Sequence, residues 1–205
     1  ITKINFSEDE NLSFYKTIEL NYLFSTYQLN QACELKNAFD AEKIILPDYY
    51  LEKADIFCLI MEDKIDEANL LNSILIETEN KVDQYFQDLL SILVNLNSAN
   101  NNTDFLNLDS NKNYSENLIF LYSAMHRIAE LPLTDKFLEI DPNNLSLPII
   151  LSNSSEMKLR LKAANKAYMN GLISINSLAA LYQSVDFNAD KLNNPEKAIN
   201  ELNGS

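Results

Sequence analysis

His126 is the only histidine of this chain, and histidine is the side chain that most often serves as an acid–base catalyst. An imidazole that activates a nucleophile needs a Ser or Cys beside it and a carboxylate that orients its ring. The sequence places neither partner at a fixed spacing. Arg127 and Glu130 follow within about one helical turn, so we expect His126 on the surface of a helix. We therefore predict that the chain is not an enzyme and holds no catalytic residue.

Two Asn- and Asp-rich segments begin like calcium-binding loops. Asp109–Asn113 and Asp186–Asp190 both follow the pattern D-x-N-x-[ND]. An EF-hand loop also needs Gly at its sixth position and a bidentate Glu at its twelfth. Those positions hold Tyr114 and Phe120 in the first segment, and Lys191 and Lys197 in the second. We therefore interpret both segments as polar loops and predict no metal site and no cofactor.

Acidic residues are abundant, but the sequence assigns no reaction to them. A glycosidase needs two carboxylates at a set separation across a cleft, and sequence alone does not give that separation. Glu62–Asp63 is expected near a helix end, where it faces water or the helix dipole. A glycine-rich phosphate loop is excluded, because the chain has glycine only at Gly171 and Gly204.

Three tyrosines are the candidates for contact with a partner. Tyrosine is enriched in interfaces because it combines apolar area with a polar tip. Tyr49 and Tyr50 open a predicted helix, so at least one of the two rings should point away from the core, and Tyr27 lies near a predicted turn. We predict partner contacts at Tyr27, Tyr49 and Tyr50, with packing between helices as the alternative for each.

The two cysteines, Cys33 and Cys58, both lie in apolar helical segments. Free cysteine packs as a small apolar side chain, so we expect two separate buried thiols. A disulfide between helices requires an oxidising compartment. Neither cysteine belongs to a CxxC motif.

The net charge is −14 and the calculated pI is about 4.4. Such a chain repels phosphate backbones and anionic lipid surfaces, so we predict no nucleic-acid partner. We interpret the one basic cluster as a solvated helix face; it comprises Lys158, Arg160, Lys162 and Lys166. Apolar runs are well below the roughly 18 residues of a membrane span, so we predict no transmembrane segment.

The composition and the spacing of apolar residues predict a helical protein. Only two glycines and five prolines occur, whereas a strand-rich fold needs many tight turns. Apolar residues recur at helical spacing and predict helices over about 12–24, 29–39, 48–61, 66–78, 83–96 and 116–131. Pro142 and Pro148 limit residues 133–151 to short helical turns.

A helical hairpin is predicted over residues 153–184. Asn153 and Glu156 have the spacing of a capping box. Gly171 lies where a left-handed residue would end the first helix, and Ser174 is placed to cap the second.

These elements predict an all-α fold of antiparallel helical hairpins, stacked as a right-handed superhelix like that of tetratricopeptide repeats. We expect helical-hairpin repeats over residues 1–96, an Asn-rich loop over 97–114, and further hairpins over 115–205. The three parts are expected to form one continuous domain.

Two segments resemble a family of uncharacterised, exported helical proteins of alphaproteobacteria. The first contains Phe57-Cys58, Ala68 and Leu70-Leu71. The second contains Arg160-Leu161, Ala163-Ala164, Ala167, Gly171, Leu178-Ala179 and Leu181-Tyr182. The resemblance implies a periplasmic or other envelope location and no known activity.

Our functional hypothesis is a non-enzymatic helical scaffold or adaptor that binds a protein or peptide partner. The alternative is the non-catalytic helical domain of a larger, peptidoglycan-acting cell-wall enzyme, because the sequence begins at Ile1 and not at Met. A carboxylate enzyme with an acidic cleft is a third class.

Overall fold

The structure is a computed structural model that describes residues 12–40, 46–95, 106 and 116–185. Within those ranges the chain forms ten α-helices, one short 3-10 turn and no β-strand. The predicted all-α fold class is therefore confirmed. The chain divides into two compact units, residues 1–129 (unit 1) and residues 130–205 (unit 2). The predicted Asn-rich loop lies within unit 1 and, apart from Leu106, outside the described residues.

Unit 1 contains six of the helices. They are α1 (Leu12–Ser25), α2 (Leu29–Asp40), α3 (Tyr50–Met61), α4 (Ile65–Thr78), α5 (Gln84–Val94) and α6 (Glu116–Ile128). Each lies within a few residues of a helix predicted from apolar periodicity. The largest shift is at α6, which ends at Ile128 and not near residue 131. At α3, Pro47 opens a 3-10 turn and the α-helix begins two residues later than predicted, at Tyr50.

The hairpins α1–α2 and α3–α4 have the same turn. In each, a left-handed residue lies two positions after the last residue of the first helix: Tyr27 (φ 64°) after α1 and Asp63 (φ 61°) after α3. In both turns the N–H of the next residue donates to the carbonyl five positions back at 2.9 Å. This pattern is the Schellman motif, which satisfies free carbonyls at a helix end and reverses the chain.

The core of unit 1 also joins helices that are distant in the sequence. α1 packs against both α2 and α6, and α3 packs against α2, α4, α5 and α6. Buried residues of this core include Leu20, Phe24, Phe57, Phe86, Leu89 and Leu121. A superhelix of the tetratricopeptide type is not confirmed, because α1 and α6 are neighbours here whereas repeats of that type contact only adjacent repeats.

A disulfide joins Cys33 in α2 to Cys58 in α3, with the two Cα atoms 5.7 Å apart. The expectation of two separate thiols is therefore wrong. Both residues do lie on buried helix faces, 7% and 4% exposed, as expected. Because α2 and α3 pack face to face, the two faces bring the sulfur atoms together. The apolar periodicity of each helix shows which residues are buried but does not show that Cys33 and Cys58 lie next to each other.

Unit 2 contains the remaining described helices. They are α7 (Asp135–Ile140), α8 (Pro142–Leu151), α9 (Met157–Met169) and α10 (Ile175–Gln183). The expectation that residues 133–151 hold only short turns is wrong for α8, which has ten residues. Pro142 occupies the first turn, where proline is tolerated, and Asp141 caps Asn143 and Asn144. Pro148 interrupts one hydrogen bond, and α8 is held by extensive packing against α9.

The turn of the α9–α10 hairpin is confirmed. Gly171 has φ +72°, and the N–H of Leu172 donates to the carbonyl of Ala167 at 2.8 Å, which completes a Schellman motif. The Ser174 hydroxyl accepts from the N–H of Ser177 at 3.1 Å and caps α10. The predicted capping box at Asn153 is not formed, because α9 begins after Glu156, whose side chain makes no cap bond.

The two calcium-like segments, Asp109–Asn113 and Asp186–Asp190, lie outside the described residues.

Candidate functional site

Charged and phenolic side chains meet inside unit 1, between α3, α5 and α6. Nζ of Lys53 lies 2.8 Å from Oε1 of Glu79 and 3.2 Å from Oδ2 of Asp83. The Lys53 side chain is 2% exposed, and the two carboxylates are 4% and 5% exposed. Tyr122 donates its hydroxyl to Oδ2 of Asp83. A buried charge is costly unless it is paired and hydrogen-bonded, and these contacts meet that condition.

The sequence predicts a helix that begins at Asp83; in the structure Asp83 lies one residue before α5, and its carboxylate does not cap the helix. Oδ2 of Asp83 instead accepts from Lys53 and Tyr122. The backbone N–H of Asp83 donates to Oε2 of Glu79 at 3.2 Å. Asp83, directly before α5, therefore connects that helix to α3 and α6 through its side chain.

Lys53 also holds the turn before α3. Its Nζ donates to the carbonyl oxygen of Asp48 at 3.0 Å. Asp48 (φ 57°) and Tyr49 (φ 54°) are consecutive left-handed residues without glycine. Each such residue costs about 1–2 kcal/mol. The buried ammonium group thus stabilises a strained turn that places Tyr49 at the unit surface.

His126 lies in the core beside Tyr85 and not on the surface of a helix. It is 4% exposed, and its Nε2 is 2.6 Å from the Tyr85 hydroxyl oxygen. The rings of Tyr85 and His126 stack with centroids 6.0 Å apart. The surface prediction is therefore wrong. It relied on the charged neighbours of His126, whereas α6 is buried on more than one face, from Leu118 to His126.

The arrangement supplies acid–base groups without access to a substrate. Lys53, Asp83, Tyr85, Tyr122 and His126 are each at most 6% exposed. A general base must come within about 3 Å of the proton that it removes, or act through one water. A side chain enclosed by helices does not meet that condition. We assign these residues a structural role, which is to fix α3, α5 and α6 against one another.

Tyr50, one of the three predicted contact residues, is part of the core. It is 0% exposed, and its hydroxyl donates to Oδ1 of Asn21 at 2.8 Å. The Asn21 amide in turn donates to Oδ1 of Asn117 at 2.6 Å. Burial raises the pKa of Tyr50 well above its usual value. Because Tyr50 has no exposed surface, we do not include it in a contact surface.

A groove lies between α3 and α4, with a cavity volume of about 330 Å³. Ile56, Leu71, Ile74 and Leu75 supply its apolar lining, and the other lining residues are Tyr49, Glu52, Asp55 and Thr78. The Tyr49 hydroxyl donates to the Thr78 carbonyl at 2.9 Å and joins the start of α3 to the end of α4. Tyr49, a predicted contact residue, thus lines a groove of the size that small ligands and side chains fill.

α4 has three exposed apolar side chains. Leu70 and Ile74 are 63% and 50% exposed and lie one turn apart beside the groove, whereas Ile76, 41% exposed, lies on the opposite side of the helix. Only Ala68 and Leu75 of this helix are buried. Single exposed apolar residues are ordinary, whereas two neighbouring ones beside an apolar groove are typical of a binding surface.

Tyr27 lines a second, shallower pocket of unit 1, with a volume of about 390 Å³. The guanidinium carbon of Arg127 lies 4.0 Å from the centroid of the Tyr27 ring, which is a cation–π contact. Met61 and Ile128 are the apolar parts of the pocket outside the α1–α2 turn. Tyr27 and Tyr49 therefore belong to different pockets and do not form one contact site.

Among the described residues, no group of three or more His, Cys, Asp or Glu side chains is arranged to hold a metal ion. Those residues also include no helix that is both long and apolar enough to cross a membrane.

No protein-family model, curated protein or solved structure matches the chain.

Proposed function

We propose that this protein is a non-enzymatic binding module and that the groove between α3 and α4 receives a helical segment of a partner protein. The observation that carries the proposal is the apolar groove of about 330 Å³ beside the exposed residues Leu70 and Ile74. A helix laid into a groove between two helices buries apolar side chains at positions i, i+4 and i+7.

A helical segment fits this groove better than an extended one. The described residues contain no strand, so an extended segment would find no sheet edge for its backbone. In an apolar groove its N–H and C=O groups would lose their hydrogen bonds to water. A helix satisfies those groups internally and presents only side chains. α4 has 14 residues, so a helix of similar length would match it.

The repeated hairpin turns support the finer proposal of a tetratricopeptide-like arrangement. Tyr27 and Asp63 occupy equivalent positions in the two turns and are 36 positions apart, close to the 34-residue period of such repeats. In this proposal α1–α2 and α3–α4 are two successive repeats that are joined by the Cys33–Cys58 disulfide. Because disulfides persist in oxidising compartments, the bond also supports the proposed envelope location.

The proposal is tested by selecting binders from a displayed library of helical peptides with randomised surface positions. We expect selected peptides to shift the methyl NMR signals of Leu71 and Ile74, and I74D to weaken their binding at least tenfold, since burial of an isoleucine contributes about 1.5–3 kcal/mol. I18D is the matched control, because Ile18 and Ile74 are equally exposed at 50% in helices of the same unit. Selected peptides that leave both methyl signals unchanged, or that I18D weakens as much as I74D, would overturn the proposal.

A further inference from the structure

The acidic residues of the chain are concentrated in unit 1. Residues 1–129 contain 21 acidic and 9 basic residues, a net charge of −12, whereas residues 130–205 contain 9 acidic and 7 basic residues, a net charge of −2. Solubility alone does not require this asymmetry. A strongly acidic surface raises the association rate of cationic partners and repels anionic ones.

Within unit 1, the segment that forms the α3–α4 groove is a focus of this charge. Residues 46–80 hold nine acidic residues and two lysines, a net charge of −7. One of the two lysines, Lys53, is buried and is neutralised internally by Glu79 and Asp83. The other, Lys64, pairs with the neighbouring Glu62 at 2.7 Å. Lys64 also lies close enough to Glu67 for electrostatic attraction, whereas neither lysine of this segment pairs with Glu52.

Two carboxylates flank the apolar lining of the groove. Glu52 lines the groove directly and is exposed. Among the described residues no hydrogen bond or ion pair to its side chain is present, whereas Asp55, the other acidic lining residue, pairs with Lys36. Glu67 is exposed and lies one turn before Leu71 on the same face of α4, because helical residues four positions apart are neighbours. The groove thus combines an apolar lining with an acidic rim.

We propose that the segment bound between α3 and α4 is a cationic amphipathic helix. This inference rests on the proposed function and adds the chemistry of the partner. Its apolar side chains occupy the space lined by Ile56, Leu71 and Ile74, and its lysine or arginine side chains face Glu52 and Glu67. Anionic and neutral helices lack the second set of contacts, so charge selects among helices of equal apolarity.

The test uses two fluorescent helical peptides of about 14 residues, a length of nearly four turns. One contains only leucine and lysine, with leucine at helical spacing, and the other has glutamate at every lysine position. We expect the intact protein to bind the lysine peptide in fluorescence anisotropy and to bind the glutamate peptide at least tenfold more weakly. Raising NaCl from about 50 to 500 mM should weaken the first complex, because exposed charges are screened.

Two charge-matched double variants separate local from general attraction. E52Q/E67Q removes the two rim carboxylates, and we expect a loss in affinity for the lysine peptide of about three- to tenfold, as for two exposed ion pairs. E139Q/E156Q changes the net charge equally with two exposed carboxylates of unit 2 and should leave the affinity within about twofold. Equal effects of the two double variants would show attraction by net charge alone and would overturn the inference.

The uncharged variant I74N distinguishes failure of the inference from failure of the proposed function, because it removes an apolar contact without adding charge to the groove. If both peptides bind equally well and I74N weakens both, the groove binds helices but does not select cationic ones, and only the inference is overturned. If I74N weakens neither complex, or if neither peptide binds, both the inference and the proposed function are overturned. Circular dichroism and thermal unfolding of each variant establish that the fold is intact.

Discussion

Nζ of Lys53 lies 2.8 Å from Oε1 of Glu79, and solvent reaches almost none of either side chain. This ion pair is also connected to the surface of the protein. Lys53 holds the Asp48 carbonyl and thereby the left-handed turn that places Tyr49 at the α3–α4 groove. The buried Lys53 cluster therefore helps to set the shape of the proposed binding groove.

We predict that K53M lowers the free energy of unfolding by about 3–5 kcal/mol, because it leaves two buried carboxylates without their cation. Urea unfolding measures the loss. K64M is the control: Lys64 and Glu62 are exposed, so the change should not move the unfolding midpoint detectably. The Tyr49 ring signals should also broaden or shift in K53M. Equal midpoints for K53M and K64M would contradict the role of Lys53.

We predict that H126A lowers the free energy of unfolding by about 2 kcal/mol or more, because it removes a buried ring and its bond to Tyr85. A surface histidine would change it by less than about 0.5 kcal/mol. A double-mutant cycle of H126A with Y85F should show a coupling energy of about 0.5–3 kcal/mol. Additive effects of the two substitutions would show that the Tyr85–His126 contact contributes no stability.

Most helices of this protein could be predicted from the sequence, because a helix face buried in the core repeats every 3.6 residues and is visible locally. The same periodicity also indicates which polar residues are buried. Lys53 occupies the core stripe of α3, four residues before Phe57, and His126 follows Tyr122 by four residues in α6. The helical spacing from Tyr122 indicates that His126 is buried, whereas the charges of Arg127 and Glu130 wrongly favoured a surface position.

The left-handed residues that end the helices could be predicted only where glycine marks them. Gly171 indicates a left-handed residue because glycine lacks the Cβ that disfavours this conformation. Tyr27 and Asp63 adopt the same conformation without glycine, at a steric cost that packing of the hairpins offsets. The breaks in apolar periodicity locate the two equivalent turns of unit 1, but no glycine in them indicates the left-handed conformation.

The groove and the disulfide could not be predicted, because both depend on contacts between elements. Cys33 and Cys58 come together only when α2 packs on α3. Tyr49 and Tyr50 are adjacent in the sequence, yet one lines the groove and the other is 0% exposed. The pairing of α1 with α6 is also non-local, whereas the sequence favours stacking in chain order.

We predict that C33S/C58S lowers the free energy of unfolding by about 3.5 kcal/mol, the loop-closure estimate for a crosslink over 25 residues. Urea unfolding compares the variant with the oxidised protein. Reduction of the unchanged protein should lower its stability similarly. Protein secreted into an oxidising compartment should show no free thiol after denaturation. Two reactive thiols per chain would show that the pair is not formed.

We predict that unfolding of the unchanged protein becomes steeply pH-dependent above about pH 10, since burial raises the pKa of Tyr50 in the folded state. There the unfolded chain loses a proton that folded Tyr50 retains, so stability falls as the pH rises and is unaffected by this group below that range. Y50F should reduce the slope by up to about 1.4 kcal/mol per pH unit. Identical slopes between about pH 10 and 11.5 would contradict the burial of Tyr50.

We predict that G171A lowers the stability of unit 2 by about 1–2 kcal/mol, the cost of a side chain in a left-handed residue. An added Cβ would meet no atom within 4 Å, so the loss would come from backbone conformation and not from a clash. G171N is the matched control: asparagine adopts this conformation more readily, so it should recover part of the loss. Amide hydrogen exchange of α9 and α10 follows both variants. If asparagine were as destabilising as alanine, the loss would not come from the left-handed conformation of residue 171.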